Sequence, residues 1–335
     1  MTGARLAPRR GAEYASILGV GAYRPSRVVT NDEICEHIDS SDEWIRERSG
    51  IITRHFAAAD ESVVDMAAAA SEKALAAAGV SADQVDAVIV GTVTHLWQTP
   101  SAAAELAFRL GTGTPAAFDI SAACAGFSYG LALAQDIVRG GSATHVLVVG
   151  VEKLSDMVSP TDRGTAFLFG DGAGAAVVGP SEVPAIGPVV WGSDGEQTDA
   201  ITQDVFWTAL RDDPGHAFPS LKMSGQQVFR WAVFEIAKVA NQTLEAAGVT
   251  ADQLDVFIPH QANMRITDAM IKKLGLPEHV AVARDIADSG NTSAASIPLA
   301  MARMLETGEA KSGDLALLIG FGAGLVYSAQ VVTLP

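Results

Sequence analysis

A thirteen-residue segment of this chain occurs twice. Ala74-Leu-Ala-Ala-Ala-Gly-Val-Ser-Ala-Asp-Gln-Val-Asp86 returns 169 positions later as Thr243-Leu-Glu-Ala-Ala-Gly-Val-Thr-Ala-Asp-Gln-Leu-Asp255, with nine of thirteen positions identical. Each copy reads as a helix that stops at glycine, turns, and enters an apolar strand, Ala87–Val90 or Val256–Ile258. A second pair follows in the same order. Gly170-Asp-Gly-Ala-Gly174 leads into an apolar run from Ala175 to Val178, and Gly320-Phe-Gly-Ala-Gly324 leads into Val326 to Val332. So long a separation is a duplicated half rather than a short-period solenoid. It falls to 150 positions for the second pair, which predicts a second half shorter in its middle.

Each half alternates strand and helix. Strands are predicted near 85–90, 116–120 and 145–149, and helices near 63–78, 125–139 and 228–247. This alternation implies α/β layers with mainly parallel sheets. No Ser/Pro-rich or charged linker separates the halves, so they are expected to pack as one pseudo-symmetric unit. The predicted organisation is a loose tail over 1–12, a first half over 13–180, and connecting loops with a second half over 181–335. The two cysteines, 89 positions apart, do not make a disulfide framework, which points to a reducing cytoplasm. Met1 to Arg10 is basic without a following apolar region, unlike a secretory signal, and no apolar run reaches membrane-spanning length. A net charge of −16 argues against nucleic acid as partner and makes any local basic cluster stand out.

Three polar residues fall at the mouths of elements. Cys124, in Phe118-Asp-Ile-Ser-Ala-Ala-Cys124-Ala-Gly126-Phe127, stands where a predicted strand ends and a helix begins. Unpaired N–H groups and the helix dipole there are expected to lower the thiol pKa. Taken alone, a free cysteine in an apolar stretch reads first as a small core residue, which is how Cys35 reads. His260, in Pro259-His260-Gln-Ala-Asn263, also follows an apolar strand and precedes a helix, so it is read as the positional counterpart of Cys124. Asn291 stands beside Gly290, ahead of Thr292 and Ser293, which are predicted to cap a helix running to about Thr307. A lone histidine is commonly a core or surface residue, and a lone asparagine a turn residue. Together, at strand ends where α/β proteins gather functional groups, the three form a coherent catalytic set. A nicotinamide-dependent dehydrogenase does not fit. Ile17-Leu-Gly19-Val-Gly21 lacks the third glycine and meets Arg24-Pro25 where a helix should start, and the Gly170–Gly174 run leads into a strand.

The chain resembles the β-ketoacyl-acyl-carrier-protein synthase III family, the initiating condensing enzymes of the thiolase superfamily. The motifs are Ser41-Asp-Glu-Trp44-Ile, Ala123-Cys124-Ala-Gly126-Phe127, Asp162-Arg163-Gly164, Phe169-Gly-Asp-Gly-Ala-Gly174, Pro259-His260-Gln-Ala-Asn263 and Gly290-Asn291-Thr-Ser-Ala-Ala-Ser296. They cover almost the whole chain from about Ile17. The resemblance implies a thiolase-like fold of two duplicated halves, packed as α-β-α-β-α layers. It also implies that Cys124 takes an acyl group from acyl-coenzyme A, and that malonyl-acyl-carrier protein then condenses with loss of carbon dioxide. His260 and Asn291 would stabilise the enolate. The backbone N–H groups of Cys124 and Ala323 would hold the acyl-enzyme oxygen, with Ala323 standing where some relatives carry glycine. Phe321 would line the decarboxylation site, although it also fits plain core packing. No metal or redox cofactor is needed.

By the same resemblance, Trp44 and Arg163 sandwich the adenine of coenzyme A. Arg48 meets phosphate, and Gly225, Phe229 and Asn263 line the pantetheine tunnel. Arg265, Lys272 and Lys273 share a helix face and, with Arg230, are expected to dock the acidic carrier protein. A loop of a homodimer partner closes the acyl pocket in the family, and Thr99, in His95-Leu-Trp-Gln-Thr99-Pro100, maps there. The smaller threonine, where some relatives carry phenylalanine, leaves room for short straight and branched primers. Polyketide priming shares this chemistry. An acyltransferase that does not condense and a non-catalytic heterodimer partner are the remaining readings, and retention of Cys124, His260 and Asn291 argues against the last.

Overall fold

The structure is a computed structural model, and it describes residues 7, 9–213 and 215–335. Two five-stranded sheets form its frame. The first contains β1 (Tyr14–Tyr23), β2 (Ala87–Gly91), β3 (Ala116–Ile120), β4 (Val146–Glu152) and β5 (Gly172–Ser181), in the order β1-β5-β4-β2-β3. The second contains β6 (Val190–Ser193), β7 (Val256–Pro259), β8 (Ala281–Val282), β9 (Leu315–Gly322) and β10 (Val326–Thr333), in the order β6-β10-β9-β7-β8. Pairing senses match strand for strand. The β4-β2-β3 and β9-β7-β8 runs are parallel, and the remaining pairs are antiparallel.

Helices α1 (Asp42–Ser49), α2 (Val63–Ala78), α3 (Ala102–Leu110), α4 (Gly126–Arg139), α5 (Gly225–Trp231), α6 (Ala237–Ala247), α7 (Met264–Leu274) and α8 (Ser296–Thr307) complete the frame. Alternating side chains explain the layering. In β2, Ala87 and Ile89 face a central core that holds Phe127 and Leu131 of α4 and Ile297 and Met301 of α8, while Val88 and Val90 face outward onto α2 and α3. In β9, Ala316 and Leu318 join the central core, and Leu317, Ile319 and Phe321 face α5, α6 and α7. The central strands β2, β4, β7 and β9 are covered on both faces, which is why they read as apolar runs. Residues 116–120, read from sequence as a buried strand, instead form the edge strand β3 and leave Ala116 and Phe118 exposed. The layers are therefore α-β-α-β-α, as the resemblance implied.

The thirteen-residue repeat folds alike in both halves. α2 ends at Gly79 and α6 at Gly248, with φ of 64° and 67°. A 3-10 turn with a capping box follows each, Ser81 with Gln84 and Thr250 with Gln253. The glycine-rich pair behaves differently. Val146 lies opposite Ala87, and Ala316 opposite Val256, so Gly150 is the counterpart of Gly320. Those residues pair in turn with Gly174 and Ser328, so the Gly170–Gly174 and Gly320–Gly324 segments are not equivalent. The shortening lies between the last two strands of the second half. Residues 323–325 join β9 to β10, where residues 153–171 join β4 to β5.

The helix expected over 228–247 forms without interruption, running from Gly225 through α5, a π-helical turn over Ala232–Ile236, and α6. Of the expected loose tail, residues 1–6 and 8 lie outside the described residues, while Ala12 packs against the central core and a Cβ on Gly11 would fall 2.0 Å from the Val138 carbonyl oxygen. No helix among the described residues is long and apolar enough to cross a membrane.

Candidate active site

Cys124 lies in a 3-10 turn, Ala123–Ala125, between β3 and α4. Ala123 takes a left-handed φ of 44°, a kink that turns the chain onto the end of β9. The approach is close: a Cβ on Gly322 would stand 2.9 Å from the Cys124 nitrogen and 3.0 Å from its sulfur, so only glycine fits there. The expected low thiol pKa is not what the site produces. Burial, reinforced by the nearby Glu152 charge, pushes the Cys124 thiol up to about 12, with the Ser293 hydroxyl acting in the opposite sense. Desolvation disfavours a thiolate here and so opposes the pull of the helix terminus. Cys35 packs beside Ile34 and Ile38 in a separate cluster.

His260 follows β7, with its main-chain N–H held by the Ile319 carbonyl of the neighbouring strand. Its ring stands edge-on to Phe321, 5.3 Å between centroids, and Trp231 backs Phe321. Nδ1 lies 2.7 Å from Ser296 Oγ, and that oxygen already accepts the Gln261 N–H. When the serine proton goes to Nδ1, Nε2 carries the ring proton and is the donor on the other side of the ring. Burial lowers the pKa of His260 to about 3, so the imidazole is neutral near pH 7. Asn291 is clamped by main-chain bonds to Leu168 and Gly170. Its Oδ1 accepts the Ser293 N–H at 2.9 Å, which leaves the amide NH2 to donate.

The duplication assigns these residues differently from the sequence reading. α4 and α8 correspond, so the counterpart of Cys124 is Ala294, in the 3-10 turn Ser293–Ala295 ahead of α8. Ser293 repeats the left-handed kink of Ala123, with φ 49°. By the sheet register His260 corresponds to Gly91 at the end of β2, and it is not the counterpart of Cys124. Neither Thr292 nor Ser293 caps α8: its N-cap is Ala295, with no side-chain cap bond, and the Ser293 hydroxyl turns to Glu152.

All three residues line one cavity of about 1320 Å³, together with Phe321 and Ala323. Ala323 is free of left-handed strain, because Ala123 and Ser293 are the only non-glycine residues with positive φ among those described. Trp44, Arg48, Arg163, Gly225, Phe229, Arg230, Asn263 and Arg265 line the same cavity. The Arg163 guanidinium rests directly on the Trp44 ring, 5.0 Å from its centroid, and its Nε donates to the Asp39 carbonyl. A purine between them requires the Arg163 side chain to swing aside. Arg48 reaches the same ring, at 5.9 Å. Asn263 caps α7 through Oδ1 and donates from Nδ2 to the Arg48 carbonyl, tying α7 to α1. Arg265 lies over Phe229, while Lys272 and Lys273 are exposed outside the cavity, Lys273 over Phe234. Thr99 is exposed and does not line the cavity, although His95, Leu96, Trp97 and Gln98 do.

The family profile described as 3-oxoacyl-[acyl-carrier-protein (ACP)] synthase III matches residues 118–195, and its C-terminal counterpart matches residues 244–334. A beta-ketoacyl-[acyl-carrier-protein] synthase III of Streptomyces glaucescens is 64% identical over 331 residues, covering 99% of each chain. This chain belongs to the synthase III family. A mycobacterial beta-ketoacyl-[acyl-carrier-protein] synthase III of Mycobacterium marinum is 56% identical over 98% of each chain. Among solved structures, the priming beta-ketosynthase of the R1128 polyketide biosynthetic pathway superposes with a TM-score of 0.96, at 47% identity and 99% coverage of both chains. The 3-oxoacyl-[acyl-carrier-protein] synthase III of Aquifex aeolicus VF5 superposes with a TM-score of 0.88, at 39% identity, covering 95% of this chain and 99% of that one.

Sequence reasoning missed three polar residues of this synthase III family site: Glu152, Ser293 in its bonded role, and Ser296. Glu152 had a readable signal, since it closes the apolar strand Val146–Val151 where another aliphatic residue would be ordinary. The serines had none, because Ser293 acts through a contact across the two halves and Ser296 through one between α8 and the residues after β7.

Proposed function

We propose that the chain is a condensing acyltransferase. An acyl-coenzyme A charges Cys124, and malonyl-acyl-carrier protein then condenses onto it with loss of carbon dioxide, which starts type II fatty-acid synthesis. The observation that carries this reading is a cysteine sharing one cavity with two neutral hydrogen-bond donors, the His260 ring and the Asn291 amide. In the first step the Cys124 sulfur bonds to the thioester carbonyl carbon and the coenzyme A thiolate departs. The thiol proton leaves as that bond forms, and the departing thiolate takes one up. In the second step malonyl decarboxylation makes an enolate, and donation from His260 and Asn291 spreads its charge. The enolate carbon then attacks the acyl-Cys124 carbonyl, whose oxygen the Cys124 and Ala323 N–H groups serve. The edge-on ring of Phe321 keeps water from the carboxylate that is lost.

A homodimer suits the unpaired edge of β3, beside the exposed Phe118, Phe108 and Trp97. That arrangement would let Thr99 reach a partner's acyl chamber and admit short straight and branched primers. A cytoplasmic setting suits two free cysteines. The likeness to a priming ketosynthase favours a second reading, polyketide priming by the same two steps.

The test is incubation with radiolabelled acetyl- or isobutyryl-coenzyme A, with and without malonyl-carrier protein. Label on Cys124 and its transfer to a β-ketoacyl product are expected, and a chain that takes no Cys124-dependent label overturns the reading. Carrier docking has its own test. Lys272→Glu with Lys273→Glu is expected to raise the KM for malonyl-carrier protein by about tenfold, most strongly at low salt. Labelling by acyl-coenzyme A stays as in the parent, and equal loss of both steps counts against a docking role.

A further inference from the structure

Glu152 closes β4 and is fully buried, with no cation in contact among the described residues. Its Oε2 accepts from Thr92 Oγ at 3.1 Å, the Val93 N–H at 3.0 Å and Thr94 Oγ at 2.7 Å. Its Oε1 has one partner, Ser293 Oγ, at 3.0 Å. The adjacent Lys153 ammonium is directed away, to the carbonyls of Ala58 and Glu61. A buried carboxylate costs stability relative to an aliphatic side chain. What it holds is informative. Thr92 and Val93 line the cavity in the first half, and Ser293 lines it in the second. The Ser293 N–H in turn fixes the Asn291 Oδ1. Ser293 is kinked into a left-handed φ of 49°, a conformation that persists where surrounding bonds enforce it.

We propose that Glu152 is a positioning residue for the condensing step: by tethering Ser293 to the 92–94 segment across the two halves, it keeps the Asn291 amide aimed into the cavity. This inference rests on the reading of Asn291 as a donor to the malonyl thioester. An ionised Glu152 accepts all four bonds. A protonated one must turn one oxygen into a donor, and the Val93 N–H cannot reverse on Oε2. The proton therefore settles most readily on Oε1, and the Ser293 tether reverses. Burial raises the pKa of Glu152 to about 7, so this change falls near neutral pH. The titratable neighbours are Cys124, which the Ser293 hydroxyl also faces, Lys153, and Asp171 just ahead of β5, whose oxygens are taken by Ser155 and the Ala57 N–H.

The experiment measures the two half-reactions separately between pH 5.5 and 8.5: labelling of Cys124 by acyl-coenzyme A, and carbon dioxide release from malonyl-carrier protein by the acylated enzyme. In the parent chain, carbon dioxide release is expected to rise with pH through about 7. Glu152→Gln mimics the protonated form. It is expected to lower that step by about 10- to 100-fold, as small misplacements of a donor do, and to flatten its pH limb. Labelling is expected to be no slower than in the parent, because removing the Glu152 charge eases ionisation of the Cys124 thiol. Ser293→Ala, which keeps the carboxylate and removes the tether, serves if the glutamine variant folds poorly, and is expected to lower the same step. A Glu152→Gln variant that keeps the pH limb, or variants that lose both half-reactions together in proportion to lost thermal stability, overturn the positioning role. A parent chain that takes no label on Cys124 overturns the functional reading, and this inference with it.

Discussion

Cys124→Ala is expected to abolish acyl-enzyme formation and to lower condensation by at least about 10³-fold, as removal of a covalent nucleophile does. Intact-mass measurement after incubation with acyl-coenzyme A checks it, since the acyl mass increment should vanish. Cys124→Ser should fare little better. A serine hydroxyl needs a base, and the nearest imidazole cannot serve: Nδ1 of His260 is engaged by Ser296, and burial holds the ring neutral with a pKa of about 3. The label cannot migrate to Cys35, which packs in another cluster and is absent from the cavity lining. The raised thiol pKa adds a pH signature. With the thiol at about 12, the thiolate fraction grows about tenfold per pH unit throughout the accessible range. Labelling at subsaturating acyl-coenzyme A should therefore climb steadily from pH 6 to 9. A plateau beginning near pH 7 would show instead that the helix terminus outweighs burial.

That competition marks where the sequence stops being legible. Strand-end placement of Cys124 follows from local pattern, because the strand Ala116–Ile120 and the helix after it each have a clear period. The pKa does not, because it depends on how tightly β9 closes over the turn at Gly322, a contact nearly two hundred residues away in sequence. The repeat is similar. Ala74–Asp86 and Thr243–Asp255 fold alike because helix stop, capping box and strand entry are local devices. The match of Gly170–Gly174 to Gly320–Gly324 fails because equivalence there is set by sheet register, which pairs Gly150 with Gly174 but Gly320 with Ser328. The same register makes Ala294, not His260, the counterpart of Cys124. The two halves have thus diverged at one fold position: the first places Cys124 in the turn, and the second places Ser293 and Asn291 around its equivalent turn. The Glu152–Ser293 bond that bridges the halves becomes visible only when the halves are packed together, and the Ser296–His260 bond only when α8 is packed beside the end of β7.

His260→Ala and Asn291→Ala should each lower malonyl decarboxylation and condensation by about 10² to 10³-fold, the usual cost of one preorganised donor at a developing oxyanion, while Cys124 still takes label. The double variant should lose less than the product of the two, since both donors serve one oxygen. Release of carbon dioxide and the rate of Cys124 labelling, measured in parallel, separate this outcome from general damage. If labelling falls as steeply as condensation, His260 acts on the thiol and the division of labour is wrong. The protonation state supplies a second check. Because the imidazole is already neutral, condensation should show no limb between pH 5 and 8 that disappears in His260→Ala. Stability carries the complementary sign. The folded-state pKa of His260 lies at about 3, below its ordinary value of 6.5, so the folded chain binds fewer protons than the unfolded chain in that window. Its contribution is complete above pH 6.5 and is lost as pH falls toward 3. His260→Ala removes that contribution, and its unfolding free energy should fall less steeply with acid than that of the parent, even where the lost packing against Phe321 makes the variant less stable at pH 7.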